Sequence, residues 1–541
     1  MVDSFHNARF RHGSARFASM EDIHRGGAFK ATGADIFAGF AGGQPLLYNG
    51  AAGGFIVAGP RQNKFTSFLM MNWARGASHL NRIVLDIKAE GYLTTDVMAP
   101  EDRHLIGWAP WEIPGVVSSK INAVEHMTIE NPHVEDESIN LGEVACPTSG
   151  DKRAEYFERR SQTIVSSKAL ALTETFGVLD LGRLYEASQM LIAGGDVWKS
   201  HFAPIMKNSR FQSVRDGHDE ITELINGDGG GFDGIRGELS KNFAGLASNR
   251  LRDSVSPPFD FSLSDLCNSD QKYALHLCPK PEFLGQSSLV IKLMFLCAKS
   301  FRANRPDAPR QAWWVDEASQ LKGAKFMLDA YTIGAGSWGI TPFTVWQDSR
   351  QMNELAPGAE RILPASAGLQ IYAGLRDFST AKRLSERIGC ESLSYDDEVA
   401  QARADLEYNE AIRDLMNGED MLHAGLRAQH FADSRHIQSK MRRLLRSPDE
   451  ILNTPLDRSY VFMDKVPGAI YATRKPMYQI PWMAGRYLGN PYGPIPADRV
   501  EIMTPNGPDI RRVITERVPE RYAHFPQHSH GYWSYVEGYR P

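Results

Sequence analysis

The chain has 541 residues, of which 42% are apolar and 23% charged, and its formal net charge is −5. This composition is typical of a globular protein of two to four domains. A global basic field of the kind that attracts nucleic acid is excluded, so any nucleic-acid-binding surface has to be local.

The five cysteines and the apolar runs further indicate the kind of protein, through its redox compartment and its relation to a membrane. No two cysteines have CxxC spacing, which argues against a zinc site or a disulfide framework and favours a reducing compartment. No apolar run reaches the ~18 residues of a membrane helix. The best candidate, residues 289–298, is interrupted by Lys292 and is expected to be a core helix. We therefore expect a soluble chain with no membrane segment of its own.

In chain order, the first informative stretch is Gly53–Thr66, which follows an N-terminal segment, 1–50, that leads into the core. A buried strand, a turn at Gly59 and a helix opening at Lys64 and Thr66 have the layout of a phosphate-binding loop. Such a loop directs backbone N–H groups and a lysine charge at a phosphate.

This loop departs from the strict pattern at several positions. Asn63 precedes Lys64 where the pattern has glycine, Phe65 follows the lysine where it has Ser or Thr, and Ala58 takes the first glycine position. Asparagine tolerates the left-handed conformation better than most residues, so Asn63 can replace a glycine. From these residues alone, an ordinary strand–turn–helix connection is an equal alternative.

A second stretch, Gln311–Leu321, is a short apolar strand that ends in Asp316 and Glu317. This is the Walker B layout, in which one carboxylate holds magnesium and the next polarises the attacking water. The alternative is a strand that ends in an acidic loop without such a role.

The intervening and following segments predict an α/β fold with an inserted helical domain. Helical periodicity begins near residue 151 and returns to strand after Pro257-Pro258. The predicted divisions are a first part of the nucleotide-binding domain at 51–150, an all-α domain at 151–256, a second part at 257–484 and a Pro/Tyr/Arg-rich tail at 485–541.

Basic residues cluster at 439–446, where Arg442 and Arg443 are candidate DNA contacts. A solvated surface helix or strand is the alternative for this cluster, and it is the more common origin of such a charge run.

Six segments follow one another in a characteristic order: Gly13–Ala18, Val84–Glu90, Val315–Ala318, Gly339–Gln347, Thr380–Gly389 and Ala472–Tyr478. Their order resembles the TraG/TraD family of type IV secretion coupling proteins, the ATPases of bacterial conjugation. Within the six segments, Ala89 replaces a family glycine.

The resemblance implies a RecA-like P-loop NTPase domain with an all-α domain inserted between the Walker motifs. It also implies ATP and magnesium as cofactors, and a homo-oligomer, usually a hexameric ring. That ring would be cytoplasmic and would lie at the inner-membrane face through partners. Those partners would be type IV secretion components, and the substrates DNA with a relaxase or effector proteins.

The resemblance also assigns roles to individual residues. Lys64 would meet the β- and γ-phosphates, Thr66 and Asp316 would hold magnesium, and Glu317 would activate water. Gln347 would sense the γ-phosphate, and Arg376 would reach a neighbouring subunit's nucleotide.

Three functions remain open. The first is an ATP-hydrolysing coupling protein, and the second is a pseudo-ATPase that serves as receptor or adaptor in the same complex. The third is an unrelated P-loop enzyme such as a DNA packaging motor. Family members usually carry an N-terminal anchor and a glycine before the lysine, and the sequence has neither, so the loop decides between the first two.

Overall fold

The computed structural model describes residues 10, 12–32, 35–74, 80–94, 103–227, 230–434, 438–480, 483, 487–488, 499–504, 507–525 and 531–539. The predicted N-terminal segment and C-terminal tail therefore lie partly outside the described residues. The β-strands are β1 (Ile36–Ala41), β2 (Gln44–Tyr48), β3 (Gly54–Ala58), β4 (Asn81–Leu85), β5 (Arg103–Trp108), β6 (Lys272–Leu277), β7 (Gln311–Val315), β8 (Ile340–Trp346), β9 (Leu369–Ala373), β10 (Cys390–Asp396), β11 (Gln438–Leu444), β12 (Arg458–Met463), β13 (Ile470–Thr473), β14 (Arg499–Thr504), β15 (Gly507–Arg517) and β16 (Tyr532–Val536).

The helices lie between these strands, with the longest ones clustered after β5 and after β10. The α-helices are α1 (Met20–Arg25), α2 (Met70–Ala74), α3 (Glu90–Thr94), α4 (Val134–Ala145), α5 (Glu155–Phe176), α6 (Leu181–Ala193), α7 (Gly195–His201), α8 (Ala203–Lys207), α9 (Gln212–Asn226), α10 (Gly230–Phe243), α11 (Asn249–Asp253), α12 (Leu284–Ala303), α13 (Lys325–Asp329), α14 (Ala335–Ser337), α15 (Ala359–Ser366), α16 (Phe378–Ile388), α17 (Glu398–Asn417), α18 (Met421–Ser434) and α19 (Pro448–Leu452).

Eleven of the described strands form one sheet, in the order β2-β1-β13-β12-β9-β3-β8-β7-β4-β6-β5. The run from β9 to β5 is parallel, and the four strands at the other end pair antiparallel. Strands β3, β4, β7, β8 and β9 are buried along their whole length. Their predominantly apolar sequences fit this position, because parallel strands are covered on both faces.

Helices α5 to α11 follow one another between β5 and β6 and form the inserted all-α domain. Helix α4 packs on both α5 and α12, so helical structure begins at Val134, before the predicted boundary at 151. The interior of this domain includes Trp198, which is fully buried. The fold is therefore α/β with a helical insertion between two strands of the sheet, as the sequence predicts.

Helix α12 is the core helix expected around residues 289–298. With the turn before it, Pro281–Ala303 is the one helix among the described residues that is long and apolar enough to cross a membrane. However, 72% of its most apolar window is buried inside the fold. Its apolar character is therefore explained by packing against the sheet.

The segment predicted as a tail, 485–541, instead contains a three-stranded antiparallel sheet of β14, β15 and β16. Val500, Ile502 and Val536 from this sheet share a buried cluster with Phe37 of β1 and Met70 of α2. The sheet therefore packs behind the helix that follows the candidate phosphate loop. Its charged, aromatic strands lack a clear alternation of apolar residues, which is why the sequence pattern did not reveal them.

Strands β10 and β11 form a separate two-stranded ribbon that carries the helical hairpin α17–α18. The N-terminal segment runs beside this ribbon, where the Ala15 N–H donates to the Cys390 carbonyl at 2.9 Å. A Cβ on Gly13 would lie 2.2 Å from that carbonyl oxygen, so only glycine permits this close approach. This contact explains the glycine of the Gly13–Ala18 segment.

Candidate functional site

The candidate residues meet at one edge of the sheet because their strands are parallel neighbours. Strand β3 pairs with β8, and β8 pairs with β7. The loop containing Lys64 follows β3, Gln347 follows β8, and Asp316 follows β7. Ligands of open α/β sheets bind at this carboxyl edge. The fold thus brings together the residues that the sequence separates by almost 300 positions.

An ion pair joins the two Walker-like motifs. The Lys64 Nζ lies 3.5 Å from Asp316 Oδ1. Burial raises the pKa of the Asp316 carboxyl above its ordinary value, Lys64 opposes that rise, and the nearby carboxylates of Glu317 and Asp86 add to it. The site therefore carries more negative charge than Lys64 balances, and a divalent cation would relieve this excess.

Two loop residues that are not glycine adopt the left-handed backbone conformation that glycine usually adopts. Asn63 has φ +54°, and Arg61 has φ +58°. The left-handed backbone expected at Asn63 is therefore present. Each such residue with a Cβ costs roughly 1–2 kcal/mol, with asparagine at the lower end. Backbone strain of this kind concentrates at functional sites, where the surrounding structure maintains it.

The start of the helix differs from the standard pattern. Four residues separate Gly59 from Lys64, where the pattern has five, so the loop is one residue shorter. Phe65, in the place of the usual hydroxyl residue, packs edge-on against Trp73 with ring centroids 5.9 Å apart. The Thr66 hydroxyl donates to the Asn63 carbonyl at 3.3 Å. Thr66 would have to leave this bond to bind magnesium.

Gly59 and Arg376 lie against each other at the start of the loop. A Cβ on Gly59 would come within 2.8 Å of the Gly374 carbonyl oxygen and 3.4 Å of Arg376 Cγ. The stem of Arg376 therefore lies against Gly59 at the start of the candidate phosphate loop, and Arg376 is exposed to solvent. Its predicted role toward a neighbouring subunit stays a prediction, and its place at the rim of the site is compatible with that role.

Glu317 and Gln347 are half-buried beside this loop. Glu317 has a left-handed backbone, φ +57°, and its carbonyl accepts the N–H of Gln320 at 3.0 Å. The Gln347 N–H donates to Gln351 Oε1 at 2.9 Å, which fixes the turn after β8. Both side chains are therefore carried by turns with defined backbone geometry at the same edge of the sheet.

Arg474 supports the loop from behind, and sequence reasoning assigned it no role. Its guanidinium is almost fully buried, donates to the carbonyls of Gln62 and Leu456, and lies 5.9 Å from the Phe68 ring centroid. Burial lowers its pKa to about 10. The sequence offered one indication of a role for Arg474, because this residue lies in Ala472–Tyr478, one of the six segments that resemble the family.

A buried polar pair lies next to the site. Asp86 Oδ2 accepts the Tyr92 N–H at 2.8 Å and lies 3.0 Å from His276 Nδ1. Cys278 completes a group of three possible metal ligands. Burial lowers the pKa of His276, the hydrogen bond and charge of Asp86 oppose that fall, and the positive charges of Arg82 and Arg103 add to it. This environment disfavours a cation, and the pair is best understood as support for the Asp86 loop.

The two candidate DNA contacts lie on β11, away from this edge. The Arg442 Nε lies 3.1 Å from Cys390 Sγ, and Arg443 pairs with Glu450 at 3.0 Å. Arg446 lies 3.8 Å from the same carboxylate. The basic cluster therefore lies on a surface strand, which was the alternative to a DNA-binding site, and the charge of Arg443 is already paired with Glu450.

Comparisons with known proteins agree with this architecture. The fold is similar to the bacterial conjugative coupling protein TrwBdeltaN70 in complex with sulphate, with a TM-score of 0.58 and 14% identity over 87% of this chain and 96% of that chain. Complexes of TrwB with the ATP analogue ADPNP, at 15% identity, and with ADP and Mg2+, at 14%, match with the same TM-score and coverage.

No curated protein sequence matched the chain. A family model described as type IV secretory system conjugative DNA transfer matches residues 21–486. Because this match covers most of the chain, the protein belongs to the type IV secretion conjugative DNA transfer family, with the RecA-like fold and the helical insertion that its sequence predicts.

Proposed function

We propose that this type IV secretion coupling protein binds and hydrolyses MgATP at the edge formed by β3, β8 and β7. The observation that carries the proposal is the 3.5 Å ion pair between Lys64 and Asp316. A lysine and an acidic residue at the end of a neighbouring strand, this close together, are placed to meet the phosphates and the magnesium ion of one nucleotide.

Each residue has a distinct task in this proposal. Lys64 would bind the β- and γ-phosphates, and Asp316 would hold magnesium, with Thr66 as a further ligand if its hydroxyl left the Asn63 carbonyl. Glu317 accepts a proton from the attacking water, and Gln347 hydrogen-bonds the γ-phosphate. Bound magnesium supplies positive charge that neutralises the phosphates as the bond breaks.

The relatives support the cofactor and the setting. TrwB has been solved with an ATP analogue and with ADP and Mg2+. By family membership, we propose that the chain assembles as a hexameric ring and works with type IV secretion components on DNA-relaxase or protein substrates. In this proposal it lies in the cytoplasm, at the inner-membrane face, through partners.

A second candidate function is a receptor or adaptor that binds nucleotide without turnover. The observation that favours it is the side chain after Lys64. Phe65, which is half-buried, packs its ring against Trp73, and the Thr66 hydroxyl donates to the Asn63 carbonyl of its own loop. A magnesium site that lacks its hydroxyl ligand would weaken metal-assisted catalysis without preventing nucleotide binding by Lys64.

Steady-state ATP hydrolysis with and without single-stranded DNA separates the two functions. The ATPase proposal predicts magnesium-dependent turnover that falls at least 100-fold in Glu317→Gln, because a positioned general base contributes roughly 10²–10⁴-fold. Glu386→Gln, an exposed change on α16, serves as the matched control. Turnover that is absent in the wild type while nucleotide still binds would establish the adaptor function instead.

A further inference from the structure

The helical hairpin α17–α18 stands apart from the rest of the described fold. Its two helices pack mainly against each other, and their buried side chains are the alanines Ala404, Ala411, Ala424 and Ala428. Small residues at this seam let the helices approach closely. With 20 residues, α17 is about 30 Å long, so the turn at Gly418 lies far from the β10–β11 ribbon that anchors the hairpin.

The turn between the helices carries the most exposed large apolar side chains of the described protein. Met416 is 83% exposed, Leu422 is 78% and Met421 is 72%. These three residues, here called the hairpin tip, flank the turn on both sides. The alanine seam already closes the hairpin, so the tip adds nothing to its folding. Clustered exposed apolar side chains of this kind mark interaction sites.

Charge on the hairpin restricts what can bind there. Residues 397–434 contain nine acidic and three basic side chains, and Glu419 and Asp420 lie in the turn itself. Arg427, one of the three basic residues, pairs with Glu407 at 3.0 Å and with Asp414 at 3.3 Å. The nine acidic and three basic side chains leave the hairpin a net charge of −6, and the turn at the tip carries two of its carboxylates.

This acidic field disfavours several alternative occupants. DNA and anionic lipid would be repelled, and two copies of the tip would repel each other. A partner that offers apolar side chains beside lysine or arginine gains from both the tip and its surroundings. Methionine side chains are flexible and polarizable, and they suit the binding of apolar helix faces that vary in shape.

We propose that the hairpin tip is a docking site for a basic amphipathic helix of a partner protein. The tip holds the apolar face of that helix, and Glu419 and Asp420 pair with its basic residues. This role goes beyond nucleotide binding and does not depend on it. The hairpin would act as a projecting receptor arm that selects a protein partner by charge and apolar contact.

A pair of synthetic peptides tests this proposal on the full-length protein without nucleotide. One is an 18-residue helix with leucines on one face and lysines on the other, and its twin has glutamate in place of each lysine. Fluorescence anisotropy is expected to show the lysine peptide binding at least tenfold more tightly than its twin. The affinity should fall as salt is raised, because charge pairing is screened.

Three variants locate the binding. Replacing the tip residues together, Met416→Ser, Met421→Ser and Leu422→Ser, should weaken the lysine peptide at least tenfold. Glu419→Gln with Asp420→Asn should weaken it severalfold and reduce its salt dependence. Leu456→Ser with Ile510→Ser removes similarly exposed apolar side chains elsewhere and should change nothing. Because all these positions are exposed, thermal melting should stay within 1–2 °C of the wild type, about the span expected for surface changes.

Several outcomes would overturn the proposal. Equal affinity for both peptides would show that charge does not select the partner, and unchanged binding by the tip variant would place the contact elsewhere. A wild-type oligomer that sediments as monomer after the tip substitutions would identify a second copy of this chain as the occupant.

Discussion

The left-handed backbone at Asn63 allows the loop to be tested by two substitutions. Asn63→Ala keeps a Cβ but loses the local polar contacts that help asparagine adopt φ +54°. Asn63→Gly removes the Cβ altogether. At a left-handed position the Cβ costs roughly 1–2 kcal/mol, less for asparagine. Glycine regains part of that, but it loses up to about 1 kcal/mol through the greater freedom of the unfolded chain.

The expected order of stability is therefore Gly and Asn close together, with Ala about 1 kcal/mol less stable. Differential scanning fluorimetry should show Asn63→Ala melting about 2 °C below the wild type, the lower end of the range for large domains. MgATP affinity should be equal or higher in Asn63→Gly, because glycine lets phosphate approach the backbone. An alanine variant as stable as the wild type would refute the strained, glycine-like loop.

Three further predictions concern buried charges. Lys168, buried with its Nζ 2.9 Å from Ser188 Oγ, has a pKa lowered by burial to about 7. Below about pH 7 the buried lysine must be charged, which costs up to about 5 kcal/mol of folding free energy. Lys168→Met should therefore raise the free energy of unfolding measured by urea titration at pH 7. An unchanged free energy of unfolding would contradict this prediction. Burial lowers the pKa of His126 to about 4. The free energy of unfolding should therefore fall as the pH drops from 6.5 toward 4, by at most about 3 kcal/mol. His126→Gln should make the free energy of unfolding less dependent on pH in this range. Arg474→Met should lower the free energy of unfolding by about 1–3 kcal/mol, because it leaves the Gln62 carbonyl unpaired. It should also weaken nucleotide binding. Unchanged nucleotide binding would show that Arg474 does not support the loop.

Much of the sheet could be predicted because parallel strands buried on both faces leave an unbroken apolar signal. Phe55–Val57 and Trp313–Val315 show this signal, and the acidic pair after the second run marks its carboxyl end. The left-handed backbone at Asn63 could also be anticipated, because few residues other than glycine tolerate it. These features are local, so a single sequence contains them.

The remaining features depend on contacts between distant parts of the chain. The support of the loop by Arg474 joins positions 412 residues apart, and no local pattern shows which carbonyl a buried arginine will meet. The contact of the half-buried Phe65 ring with Trp73 likewise depends on how the helix after the loop packs, which no local pattern states. The C-terminal sheet is held by a cluster shared with Met70, which explains why its own strands need no strong apolar alternation.

Isothermal titration of the nucleotide-free protein with MgATP tests whether this edge of the sheet binds nucleotide. We expect saturable binding that requires magnesium and weakens at least tenfold in Lys64→Ala, because the lysine charge is then no longer available to the phosphates. Lys382→Ala, an exposed lysine on α16, should bind as the wild type does. Absence of binding by the wild type, or equal binding by Lys64→Ala, would contradict a nucleotide site at this edge of the sheet.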